Sequence, residues 1–104
     1  MANNNPQKTI RIVVFSGKDE DWNQWSKTFM AMGMAREMRE VINPILPEAN
    51  QDKSNNNKVY SDLLLACQED ITLGIIKEST SEAFPDGDAR LAWKKLNKKY
   101  KPKN

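Results

Sequence analysis

Apolar side chains return every three or four positions along most of this chain, and that spacing favours packed helices. In DEDWNQWSKTFMAMG, Trp22, Trp25, Phe29 and Met32 stand three, four and three residues apart. They form one apolar stripe on a helix whose first turn is acidic, as the helix dipole favours. Asp19 or Asp21 suits its N-cap. Gly33 ends or bends this helix, and Met34, Met38, Val41 and Ile42 share one face of a short second one. Pro44 and Pro47 stop it, and the Asn-rich stretch that follows reads as a mobile loop. The longest helical stretch, 58–80, carries Tyr60, Leu63, Leu64, Cys67, Ile71 and Ile75 at helical spacing, with Leu65, Leu73 and Ile76 widening the face. So broad an apolar arc marks a central helix, and Gly74 within it suits a close helix crossing. The last helix places Ala89, Trp93, Leu96 and Tyr100 on a single seam. Asp86 or Asp88 caps it, Asp88 being the better placed, and Pro102 stops it.

One stretch departs from this period. In TIRIVVFSG, Ile10, Ile12 and Val14 alternate with Arg11 and Val13, the pattern of a strand. A lone strand has no partner within the chain, so it packs on the helices as an arm or pairs with the edge of another chain. The arm is the expectation, with Phe15 as its plug and Gly17 as its turn. The predicted fold is all-α: a small bundle of four to five helices with an extended N-terminal arm. Residues 1–8 are expected to be disordered, 9–102 to form one helical domain and 103–104 to be a tail. The expected core is Phe15, Trp22, Trp25, Phe29, Leu64, Cys67, Ile71, Trp93, Leu96 and Tyr100.

Chemistry is constrained by what the sequence lacks. It has one cysteine, Cys67, and no histidine. That rules out an internal disulfide and fits a reducing compartment. It also rules out Cys/His zinc sites and Ser-His or Cys-His catalytic pairs. Asp86-Gly87-Asp88 does not open an EF-hand loop, because Arg90 and Asn97 stand where oxygen ligands and the closing acid belong. FSGK lacks the spaced glycines of a phosphate loop. Asp19, Glu20 and Asp21 read as solvated helix-start acids rather than an acid–base pair, and Cys67 as a small core residue. No enzyme, cofactor, metal or small-molecule substrate is expected. No apolar run approaches a membrane span, and MANNNPQK has no apolar segment of a secretory signal.

Charge is uneven. Residues 1–89 hold nine bases and fourteen acids, whereas Arg90, Lys94, Lys95, Lys98, Lys99, Lys101 and Lys103 are followed by no acid at all. Such a polarised chain attracts its own copies head to tail or lays its basic end on RNA; the plainer reading is a solvated helix face. Met30, Met32, Met34 and Met38 cannot all face one core, and methionine is frequent on adaptable binding surfaces. Ile10, Ile12, Met30 and Met34 are therefore the candidate assembly contacts. Lys94, Lys95, Lys98, Lys99 and Lys101 are the candidate nucleic-acid contacts. The three tryptophans lie on apolar stripes, which favours core packing over base stacking.

Taken together, the two ends of the chain resemble a known family. Phe15-Ser16-Gly17 followed by Trp22 or Trp25 and Phe29 resembles the opening of gag polypeptides of copia-type LTR retrotransposons. DARLAWKKLNKKYKP is similar to that family's A-x-x-A-W-x-x-L-x-x-x-Y segment, at Ala89, Ala92, Trp93, Leu96, Tyr100 and then Pro102. The intervening VYSDLLLACQEDITLGIIKESTSEAFPDGDA looks like the central segment of the protist and algal branch. The resemblance implies a helical capsid protein, self-associating into oligomers or virus-like particles that enclose element RNA, located in the cytoplasm with or without a nuclear phase. Such gags usually continue into a second helical lobe and a zinc knuckle, so this chain looks like the N-terminal capsid lobe. The rival expectation is a small nucleic-acid-binding module using the C-terminal lysines. A domesticated relative acting as an adaptor is a third.

Overall fold

The structure is a computed structural model that describes residues 12–36, 38, 41 and 53–100. Among them lie four helices and no strand: α1 (Asp19–Ala35), α2 (Lys53–Ala66), α3 (Asp70–Lys77) and α4 (Ala89–Tyr100). The expected disordered residues 1–8, Ile10, Ile42, Lys101 and the tail lie outside the described residues.

In α1 the three-to-four spacing puts Trp22, Trp25, Phe29 and Gly33 on the buried face. The expected cap at Asp21 is corrected, because the helix begins earlier, at Asp19, with Lys18 at the N-cap and no side-chain cap bond from it. Asp21 instead lies inside the first turn, where its carboxylate accepts from Ser16 Oγ at 2.7 Å, and Ser16 Oγ accepts from the Lys18 N–H at 3.1 Å. Gly33 does not end the helix. The helix runs on to Ala35, with the Arg36 N–H closing on the Met32 carbonyl. Met34 consequently belongs to α1, while Met38 and Val41 are buried and Met38 N–H donates to the Gly33 carbonyl at 2.7 Å.

The long central helix expected over 58–80 is two helices. α2 starts earlier, at Lys53, inside the stretch expected to be a loop. It ends at Ala66, and α3 begins at Asp70. The break has a physical cause. Glu69 adopts an extended N-cap conformation and its Oε1 accepts from the Thr72 N–H at 3.2 Å and Thr72 Oγ1 at 3.0 Å. The carbonyls left over at the end of α2 are met from elsewhere: Gln68 Nε2 donates to Leu65 and the Phe15 N–H to Ala66. The break rotates α3, so Ile71 is 59% exposed and its expected place in the core is corrected; Thr72 and Ile76 are the buried positions. Leu64 is half-buried and packs against the core. A Cβ added at Gly74 would meet nothing within 4 Å, so the expected close crossing there does not exist.

The core is aromatic. Phe15, Trp22, Trp25, Phe29, Trp93 and Tyr100 are all buried, as are Leu63, Cys67, Ile76 and Leu96. Trp22 touches Trp93 at a centroid distance of 5.5 Å and stacks on Tyr100 at 5.3 Å; Phe29 stacks on Trp93 at 5.5 Å. Phe15 plugs the end of this cluster, edge-on to Trp22 and Tyr100 at 5.4 and 5.1 Å. Rings at such offset and edge geometries add roughly 0.5–1.5 kcal/mol per pair beyond the area they bury.

The turn before α4 is clamped by a residue that periodicity does not mark. Asn56, fully buried on α2, donates from Nδ2 to the Gly87 carbonyl at 2.9 Å and accepts at Oδ1 from the Ala89 N–H at 2.8 Å. Gly87 has φ +145°, and a Cβ there would fall 2.3 Å from the Tyr60 ring. Asp88 caps α4 as expected, its Oδ1 accepting from the Leu91 N–H at 3.0 Å.

Candidate assembly interface

The surface begins where the chain reaches the aromatic core. Residues 12–16 are neither helical nor strand-paired and run without a bend. Phe15 is buried, Ile12 is half-buried against the core, and Val13 and Val14 are exposed. Among the described residues, the segment is held down through its backbone where Trp25 Nε1 donates to the Val13 carbonyl at 2.7 Å and the Phe15 N–H donates to the Ala66 carbonyl at 2.8 Å, and through its side chains by Ser16 Oγ on Asp21. Gly17, at φ +87°, makes the turn into α1 with Glu69 so close that a Cβ would lie 2.7 Å from its Cγ. A groove of about 210 Å³ opens between residues 13–16 and the Asp21, Gln24, Trp25 and Thr28 face of α1.

The methionines divide. Met30 and Met32 are half-buried and pack against the core, whereas Met34 is 54% exposed. Leu65 and Ile71, near the α2–α3 break, are also exposed. Their exposure is invisible to periodicity, because a single unbroken helix would have put Ile71 inside.

On α4, Lys94, Lys95, Lys98 and Lys99 are exposed, while Ala89, Ala92, Trp93 and Leu96 form the buried seam. Lys99 Nζ stands 5.2 Å above the Tyr100 ring. Arg90 does not join this surface: it is buried, and its Nε donates to the Val41 carbonyl at 3.2 Å. The charge asymmetry of the sequence is not a separation of opposite ends in space. Trp22 stacks on Tyr100, so the acidic first turn of α1 and the lysine-bearing last turn of α4 occupy one end of the bundle.

Electrostatics at that end centre on Glu69. Its hydrogen bonds from the backbone N–H and hydroxyl of Thr72, with help from Lys99, hold its carboxyl below the ordinary value. Thr72 Oγ1 in turn lies 2.7 Å from Tyr100 Oη, tying the start of α3 to the end of α4. At the other side, Arg36 pairs with Asp62 and links the end of α1 to α2; burial pushes the Asp62 carboxyl up, against the pull of Arg36. Burial drives the Cys67 thiol to about 12, so it is protonated and inert at neutral pH. Among the described residues no group of His, Cys, Asp or Glu is arranged to hold a metal ion, and no helix is long and apolar enough to cross a membrane. Comparison with known protein families, curated proteins and solved structures finds no match to this chain.

Proposed function

We propose that this chain is a capsid lobe of the copia-type gag kind, a structural module that associates with copies of itself to build a shell around RNA. The observation that carries the reading is the aliphatic surface left outside a filled aromatic core: Val13, Val14 and Met34 are exposed around the first helix and the segment leading into it. The residues behind the family resemblance also support it. Phe15, Trp22 and Phe29 at one end of the sequence and Trp93 and Tyr100 at the other meet ring to ring. A motif read as a folding signature ought to converge in this way. Weak contacts of modest area suffice, because a shell repeats each of them many times.

The test is light scattering on size-separated protein across a concentration series, followed by electron microscopy. Discrete oligomers or shells are expected. Met34→Ser should weaken association while leaving helical circular dichroism unchanged. A chain that stays monomeric at every concentration rejects the reading.

The four exposed lysines of α4 favour one second reading, a module that binds single-stranded nucleic acid through phosphates. Four such contacts predict a slope of roughly 3 in log affinity against log salt. A monomer whose RNA affinity follows that slope selects this reading over the first.

A further inference from the structure

We infer that the outer backbone edge of residues 12–16 is a docking strand for the same segment of a second copy, the two pairing antiparallel about Val14. The inference rests on the self-association proposed above and names its contact.

In a pleated segment, successive residues turn their N–H and C=O to opposite edges. The Val13 carbonyl and the Phe15 N–H face inward and are bonded to Trp25 and Ala66. Ile12, Val14 and Ser16 therefore face the other way. The backbone N–H and C=O of Val14 have no hydrogen-bond partner among the described residues, and its side chain is 61% exposed. A segment pinned along one edge, with no partner among the described residues along the other, is a ready template for strand addition.

The occupant follows from the segment's own composition. A two-fold axis at Val14 sets Val14 against Val14 of the second copy, and Ile12 against Ser16 in both directions. Each of these pairs exchanges two N–H···O bonds, since all three residues present the same edge. β-Branched side chains suit such a pleated contact. The groove between residues 13–16 and α1 gives the incoming side chains room.

Val14→Pro removes the outward donor and breaks no hydrogen bond among the described residues. It should weaken association about tenfold or more, as expected for lost backbone hydrogen bonds in a small contact, with helical circular dichroism retained. Val14→Cys should form a disulfide-linked dimer under mild oxidation. The Cα atoms of a hydrogen-bonded antiparallel pair stand about 5.5 Å apart, within the reach of a disulfide, and buried Cys67 does not compete. Leu65→Cys, equally exposed but off the edge, serves as the control and should cross-link more slowly. Wild-type association by Val14→Pro, or cross-linking of Val14→Cys no faster than the control, overturns the edge while leaving self-assembly standing. Should Val14→Pro lose its helical signal, the Val14→Cys comparison alone decides. A wild-type chain that never associates overturns both.

Discussion

Asn56 does more for this fold than its residue type suggests. Asparagine is a poor helix former, yet here its amide bonds the Gly87 carbonyl and the Ala89 N–H, joining α2 to the start of α4. Asn56→Ala leaves both groups buried without that partner and should lower unfolding free energy by roughly 2–3 kcal/mol in a denaturant titration. Trp93→Ala removes the ring shared by Trp22, Trp25 and Phe29. A loss of about 3–5 kcal/mol is expected for such a truncation, much of the stability of a small domain. The two glycines respond in opposite senses. Gly87→Ala forces a side chain into left-handed backbone and into the Tyr60 ring, and should destabilise by more than the roughly 1–3 kcal/mol of backbone strain alone. Gly74→Ala lies within α3, facing open space, and should stabilise by about 1 kcal/mol, read as a higher Tm.

At the scale of helices, the break between α2 and α3 concentrates the pH response. The carboxyl of Glu69 is held below its ordinary value, so its contribution to stability is complete above the unfolded glutamate value and disappears as pH falls through the lowered folded one. Wild type should therefore exceed Glu69→Gln in stability at neutral pH, and the gap should close on acidification. Asp62 runs the other way, because its carboxyl is raised by burial and ionisation there opposes folding. The same break shows where sequence reasoning stops. The stripes of α1 and α4 were readable because tryptophan, phenylalanine and tyrosine at three-to-four spacing have no other stable home. The junction at Cys67–Glu69 was hidden because apolar residues keep helical spacing on both sides of it, so the phase change that exposes Ile71 leaves the pattern intact. Glu69 followed three residues later by Thr72 was the available signal, an acid positioned to cap a new helix start. The beginning of α2 was hidden for another reason: KSNNNK has low helix propensity, and the tertiary bonds of Asn56 override it.

For the whole molecule, the placement of charge matters more than its total. The acids before Trp22 and the lysines before Tyr100 share one end, so that end presents mixed signs rather than a single pole. Of the candidate contacts, Val14 and Met34 are legible as surface only once the core is known to be filled by rings. Arg90 could not be separated from its lysine neighbours by charge counting, although it is buried. Raising salt should leave the proposed valine-to-valine association intact and weaken any RNA complex steeply, which light scattering and filter binding can measure on the same samples. One further consequence concerns Cys67. A sole sulfhydryl, sealed and fully protonated beside the α2–α3 break, is attacked by aromatic disulfide reagents only in molecules that have transiently unsealed. Its rate of modification is thus an internal clock for opening, readable by absorbance.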